Sequence, residues 1–211
     1  MDLALFDFDG TITTIGTYPG FVKFAVRPRR KLVGYVLLAP LIIGYLLKIV
    51  SESAIRKATS KVGFWRDEPC RLHRLGERYA AEVLPDLIRP LALERIAWHK
   101  ARGDRVVVVS ASLDFYLEPW CNTVGVDLIC SQMETRDGRL TGRYLPADCC
   151  GGEKDSRIRA RYSLAEYATV YAYGDSDEDR QMLEMADKRY FRWEEVVEVT
   201  GDKIVMHWGS K

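Results

Sequence analysis

The stretch Leu3-Ala4-Leu5-Phe6-Asp7-Phe8-Asp9-Gly10-Thr11 decides the fold. Four apolar residues run together and stop at Asp7, and Gly10 follows. A buried strand that feeds a loop has this form. Three further runs repeat it. Arg105-Val106-Val107-Val108-Val109-Ser110 holds four consecutive β-branched residues, as a strand buried on both faces does. Ala168 to Gly174 ends at Asp175, and Val126 to Cys130 is a weaker example. Helical patterns lie between these runs. Pro85 to Arg102 carries Leu87, Leu91, Ile96 and Trp98, with Gly103 as a stop. Leu113 to Val124, Glu153 to Tyr162 and Asp177 to Ala186 also read as helices, the last with Asp177 as its cap.

Strand and helix in alternation predict an α/β fold, a Rossmann-like parallel sheet covered on both faces. Residues 132–142 read as a hairpin turning at Asp137-Gly138. Residues 14–84 break the alternation, with helical periodicity and no convincing strand. The chain therefore divides into a core of 1–13 and 85–211 and a helical cap, 14–84, inserted after the first strand. The tail 194–211 suggests small strands at Val196–Val199 and Lys203–His207, with a turn at Gly201-Asp202. No internal repeat is present.

The 211 residues are 47% hydrophobic, enough for one sizeable core. Thirty-one basic residues balance 30 acidic ones, so no broad positive field recommends a nucleic-acid partner. Five cysteines, an odd number without a Cys-x-x-Cys pair, fit a reducing cytosol better than a disulfide framework. Adjacent Cys149 and Cys150 read as two small semi-buried residues. His73, His99 and His207 do not join cysteines at zinc spacing. No secretory signal is read at the start of the chain, and a cytoplasmic location is expected.

Parallel strands bring their carboxyl ends to one edge, where open α/β sheets bind ligands. Asp7, Ser110 and Asp175 stand at three such ends. Asp9 and Asp179 lie close by in sequence. Carboxylates gathered there repel one another, and a hard cation such as Mg2+ relieves this while neutralising a substrate phosphate. A carboxylate can attack phosphorus and form an aspartyl phosphate. In that chemistry Asp7 is the attacker. Asp9 is the acid for the leaving alcohol and then the base for water. Ser110 and Lys154 hold the phosphate, Lys154 as a compact charge that can also pair with the nucleophile.

Four segments carry a resemblance. They are Asp7-Phe8-Asp9-Gly10-Thr11-Ile12-Thr13, Val109-Ser110-Ala111-Ser112-Leu113-Asp114-Phe115-Tyr116, Gly152-Glu153-Lys154-Asp155-Ser156-Arg157-Ile158 and Gly174-Asp175-Ser176-Asp177-Glu178-Asp179. In this order they resemble the motifs of the haloacid dehalogenase superfamily. More narrowly, they resemble its phosphoserine phosphatase-like subgroup, which has a helical cap. The resemblance implies a magnesium-dependent phosphatase. Asp7 matches the nucleophile and a metal ligand. Asp9 matches the acid/base, with its backbone carbonyl as a second ligand. Ser110 and Lys154 match the phosphate-binding groups. Asp175 matches the third ligand and Asp179 a supporting acid. The expected substrate is a small phosphomonoester. Phosphotransfer to an alcohol and a non-catalytic binding module are the alternatives from the same fold. The cap carries no clear signature for phosphoserine. Arg56, Lys57, Lys61 and Arg66 are its candidates to face a second anionic group.

Within the cap, Leu32 to Leu47 is 16 residues without a charge, bracketed by Lys31 and Lys48 and preceded by Arg27-Pro28-Arg29-Arg30. It is short of the ~20 residues that span a bilayer, and Pro40 should kink it. One reading makes it the cap's own core, two buried helical segments joined near Pro40. The other makes 27–48 a peripheral membrane contact, with the basic run on anionic head groups and a phosphatidylglycerophosphate-like substrate.

Overall fold

In the computed structural model, which describes residues 1–200 and 203–206, nine strands and eight α-helices are assigned among those residues. The strands are β1 (Leu3–Phe6), β2 (Arg105–Leu113), β3 (Asp127–Ser131), β4 (Met133–Arg136), β5 (Arg139–Tyr144), β6 (Val170–Gly174), β7 (Lys188–Phe191), β8 (Glu194–Thr200) and β9 (Lys203–Met206). The main sheet has the order β3-β2-β1-β6-β7-β8-β9. Its first five strands are parallel, and β8 and β9 return antiparallel. β4 and β5 form the separate hairpin, turning at Asp137-Gly138 as the sequence suggests. Gly201, Asp202 and His207 lie outside the described residues.

The alternation of side chains explains why the sheet is covered twice. Ala4, Phe6, Val106 and Val108 face one cluster with Ile96, Tyr116 and Tyr173. Leu3, Leu5, Val107 and Val109 face the other with Ile158, Met182 and Leu183. All four valines of β2 are buried. Each such side chain contributes about 1.5–3 kcal/mol on leaving water. The helices that supply the cover are α5 (Pro90–Ala101), α6 (Asp114–Val124), α7 (Gly152–Arg161) and α8 (Arg180–Glu184).

Three local expectations are corrected. The helix read from Pro85 starts at Pro90, because Arg89 before the proline is extended (φ −74°, ψ 127°). Residues Leu84–Leu87 form a separate 3₁₀ turn. β2 does not end at Ser110 but runs on to Leu113, with a register shift against β3 between them. Asp177 is not a cap: Ser176 caps that turn in a reciprocal pair with Asp179, while Asp177 is exposed and pairs with Arg180.

Between β1 and β2 lie α1 (Tyr18–Ala25), α2 (Pro28–Leu46), α3 (Glu52–Phe64) and α4 (Pro69–Glu82). Tyr18, Phe21, Phe64 and Tyr79 make a buried aromatic cluster with Tyr116 of α6. Gly76 lets α4 press onto α6: a Cβ there would lie 1.9 Å from the Phe115 carbonyl oxygen. This packing leaves α2 outside. The buried-core reading of Leu32–Leu47 is overturned, since no residue of α2 is buried. Nor does Pro40 divide it into two helices. The helix runs on through Pro40, which is exposed to solvent.

Candidate active site

Register brings the acidic residues together. Phe6 of β1 pairs with Val108 of β2 and with Tyr173 of β6. The Asp7 N–H donates to the Tyr173 carbonyl at 2.9 Å. Asp7, Ser110 and Asp175 therefore emerge at one edge and line a cavity of about 670 Å³ with Asp9 and Lys154. Its outer wall comes from α1, α2 and α3.

Lys154, near the start of α7, is almost wholly buried and joins two carboxylates. Its Nζ donates to Asp7 Oδ1 at 2.6 Å and to Asp179 Oδ1 at 2.5 Å. Burial by itself would depress the lysine pKa. Asp179 and Asp7 outweigh it and hold the ammonium protonated. Burial, then the Asp179 charge, pushes the Asp7 carboxyl well above the usual range, while Lys154 opposes the rise. Asp175 is raised for the same first two reasons.

Asp179 has its oxygens committed. Oδ2 accepts from the N–H groups of Asp175 and Ser176, both at 3.1 Å, and from Ser176 Oγ at 3.0 Å. Asp175 Oδ1 accepts from Thr11 Oγ1 at 3.0 Å. A carboxylate oxygen from each of Asp7, Asp175 and Asp179 lies within 4.8 Å of the other two. Among the described residues, one oxygen of Asp7 and one of Asp175 have no hydrogen-bond donor. An all-oxygen donor set, with excess negative charge around a single lysine, fits a hard divalent cation.

The Asp9 carboxylate stands apart from this group. Oδ1 accepts from the Thr17 N–H and from Thr17 Oγ1, the latter at 2.6 Å, and Oδ2 accepts from Ser112 Oγ. Thr17 Oγ1 also lies 3.1 Å from the Tyr116 hydroxyl. Ser110 is buried, and its Oγ accepts the Ser112 N–H at 3.0 Å. Thr11, Thr17, Ser112 and Tyr116 are additions that the motifs did not single out. The period of two along a strand could have marked Ser112 from Ser110; nothing in the sequence marks Thr17.

Of the four cations expected to face a second anion, only Arg56 lines the cavity. It is already engaged: Asp148 lies at 3.2 Å and Glu178 at 2.9 Å, with Glu52 at 2.9 Å. Lys61 donates to the Thr141 carbonyl, and Arg66 lies over the Trp65 ring. Lys23 of α1, which lies in none of the four motif segments, also stands at the cavity wall.

The fold is an α/β sheet, parallel in its first five strands, with a buried aspartate-lysine-aspartate bridge at its carboxyl edge. The chain belongs to the haloacid dehalogenase-like hydrolase family, whose model matches residues 4–184. Protein CicA of Caulobacter vibrioides is 29% identical over 196 residues, covering 90% of this chain and 85% of that protein. The histidinol-phosphatase of Neisseria meningitidis is 28% identical over 130 residues, 58% of this chain and 57% of its own. A Bordetella pertussis protein of unknown function shares the fold with a TM-score of 0.78 at 24% identity, covering 90% of this chain and 89% of that one. A phospho-aspartyl intermediate analogue structure of phosphoserine phosphatase aligns with a TM-score of 0.56 at 19% identity, over 90% of this chain and 85% of that one. The chain is an enzyme, a phosphatase of this family.

Proposed function

We propose that this enzyme hydrolyses phosphomonoesters through an aspartyl phosphate on Asp7, with Mg2+ as cofactor. One observation carries the reading: two carboxylates of one motif sit in different environments. Asp7 is paired with a buried ammonium, whereas Asp9 is held by neutral hydroxyls and one N–H. Held against the ammonium, Asp7 can present its other oxygen to phosphorus, while Asp9, held by two hydroxyls and an N–H, is left to handle the proton.

An Asp7 oxygen attacks phosphorus as the ester P–O bond breaks. The leaving oxygen takes a proton from Asp9. Asp9 then removes a proton from water, whose oxygen attacks the phosphorus of the aspartyl phosphate. Inorganic phosphate leaves and Asp7 is restored. Lys154 and the Ser110 hydroxyl neutralise and orient the phosphate oxygens. Asp7, Asp175 and the Asp9 backbone carbonyl would hold Mg2+, which supplies charge neutralisation at the phosphoryl group. Asp179 supports the site by fixing Lys154 and the turn that bears Asp175.

The helical cap, 14–84, sets the substrate over a core of 1–13 and 85–211. The primary reading is a small phosphorylated metabolite. A second reading, an amphiphilic lipid phosphate, is favoured by the outer cavity wall, where Ile15, Val22, Tyr35, Tyr45 and Ile55 offer apolar surface. Five free thiols agree with the reducing cytoplasm. Turnover of p-nitrophenyl phosphate and of a panel of soluble and lipid phosphomonoesters, with magnesium and with chelator, tests the proposal. Folded protein that turns over none of them would favour a non-catalytic module. Transfer to added alcohols would identify a phosphotransferase.

A further inference from the structure

Helix α2 presents an apolar surface to solvent rather than to the protein. Leu32 is 70% exposed, Val36 71%, Ile43 57% and Leu47 64%. Their spacing places them on one stripe of the helix and its last turn. Leu37 and Leu46 flank that stripe and are exposed as well. The opposite side, with Gly34, Leu38 and Ile42, borders a groove of about 100 Å³ against α1 and α3. An ordinary surface helix turns its polar side outward; α2 has no polar side between Lys31 and Lys48 beyond its two tyrosine hydroxyls. So large a patch marks an interaction surface.

Charge selects the partner. From Thr11 to Ser51 the chain has six basic residues, Lys23, Arg27, Arg29, Arg30, Lys31 and Lys48, and no acidic one. The rest of the chain carries more acids than bases. Buried Asp67 pairs with Arg27 and Arg30. Arg29, Lys31, Lys23 and Lys48 make no ion pair among the described residues. Two copies joined through this face would bring their cations together. An anionic bilayer instead meets both the charge and the apolar stripe. Among the described residues no helix is long and apolar enough to cross a membrane. At 19 residues α2 is about 28 Å long and can lie along the surface.

We propose that α2 docks in the plane of an anionic membrane, its stripe among the acyl chains and its flanking cations on the head groups. The surface adjoins the active site, because Tyr35 and Tyr45 of α2 line both the helix and the cavity wall. Docking holds that wall against the lipid. It deepens the lipid-phosphate reading, yet it is measured without turnover, so either can fail alone.

The test is flotation of the full chain with phosphatidylcholine vesicles, alone or with about 30% phosphatidylglycerol. We expect at least about tenfold more protein on the anionic vesicles, falling as salt rises. Combined Leu32→Gln, Val36→Gln, Ile43→Gln and Leu47→Gln should abolish binding. Paired Arg29→Glu and Lys48→Glu should reduce it at least about threefold. Both variants should keep native circular dichroism and turnover of p-nitrophenyl phosphate. Failure to float on anionic vesicles overturns the proposal, as does equal binding to neutral vesicles or unchanged binding by the four-glutamine variant. A dimer that this variant splits, with no flotation, assigns the face to a second copy instead.

Discussion

A Cβ placed on Gly10 would lie 2.4 Å from Asp175 Oδ2. Gly10 also has φ +86°, a conformation L side chains rarely adopt. The two motifs, 165 residues apart, therefore touch through a missing side chain. Gly10→Ala should displace the Asp175 carboxylate and strain the turn by about 1–3 kcal/mol. The expected outcome is at least a hundredfold lower turnover, roughly 3 kcal/mol in the barrier, together with a higher magnesium concentration for half-maximal rate. A variant with native rate and native magnesium response would remove the significance of this contact.

Asp7→Asn keeps an oxygen for Lys154 but is a poor nucleophile. Turnover should fall by at least about a thousandfold. Circular dichroism should be unchanged, since the sheet does not depend on this carboxylate. Near-native turnover would reject Asp7 as the attacking group.

Asp9 has no lysine to orient it; it depends on Thr17 and Ser112. Thr17→Val and Ser112→Ala each remove a hydroxyl donor while sparing the Asp7–Lys154 pair. Each should lower kcat about 10–100-fold with little change in KM, the pattern of a lost orientation effect. A change in KM alone would show that these residues contact substrate rather than position Asp9.

Much of the candidate site was legible in the sequence because Asp7 and Asp175 directly follow the last residues of β1 and β6, and Ser110 lies two residues past Val108, the partner of Phe6. Apolar runs announced β1, β2 and β6, and parallel pairing then obliges Asp7, Ser110 and Asp175 to meet. The hairpin at Asp137-Gly138 was legible for an equally local reason. What failed was nonlocal. The exposure of Leu32, Val36 and Ile43 depends on whether other elements have room for α2, and the aromatic cluster of Phe21, Phe64, Tyr79 and Tyr116 leaves none. Apolar composition alone cannot distinguish a core helix from one awaiting a partner. Arg56 does line the cavity, but its ion pairs are equally nonlocal. A cation in the cap looks available until Asp148 and Glu178, from distant parts of the chain, are brought against it.

That arginine joins α3 to the core across buried ground. Arg56 and Asp148 are both nearly inaccessible, and Ser53 and Ser131 also donate to Asp148. Replacing Arg56 by Met leaves a buried carboxylate without its cation. Such losses cost about 3–5 kcal/mol. Urea unfolding should register a destabilisation of that order, with Arg56→Lys recovering part of it. A stability within about 0.5 kcal/mol of native would mean that water replaces the guanidinium.

Asp114 offers a pH test that is read in stability rather than in turnover. It opens α6, and its Oδ1 accepts the Phe115 N–H at 3.0 Å. Burial raises its pKa from 3.8 to about 6, with His73 opposing. The sign follows from which state holds the proton. Below the unfolded value both states are protonated and Asp114 has no effect on stability. Between about pH 4 and 6 the unfolded chain has released a proton that the folded chain retains, so stability falls as pH rises. Above the folded value the carboxylate is ionised in both states and the desolvation penalty is complete. Asp114→Asn keeps the hydrogen-bond acceptor and removes the charge. Its gain over the native chain should grow from pH 4 to 6 and level off at roughly 1–3 kcal/mol by pH 7. Urea midpoints for both proteins at pH 4, 5, 6 and 7 measure this. Parallel curves across that range would show that the Asp114 carboxyl titrates alike in the folded and unfolded chains.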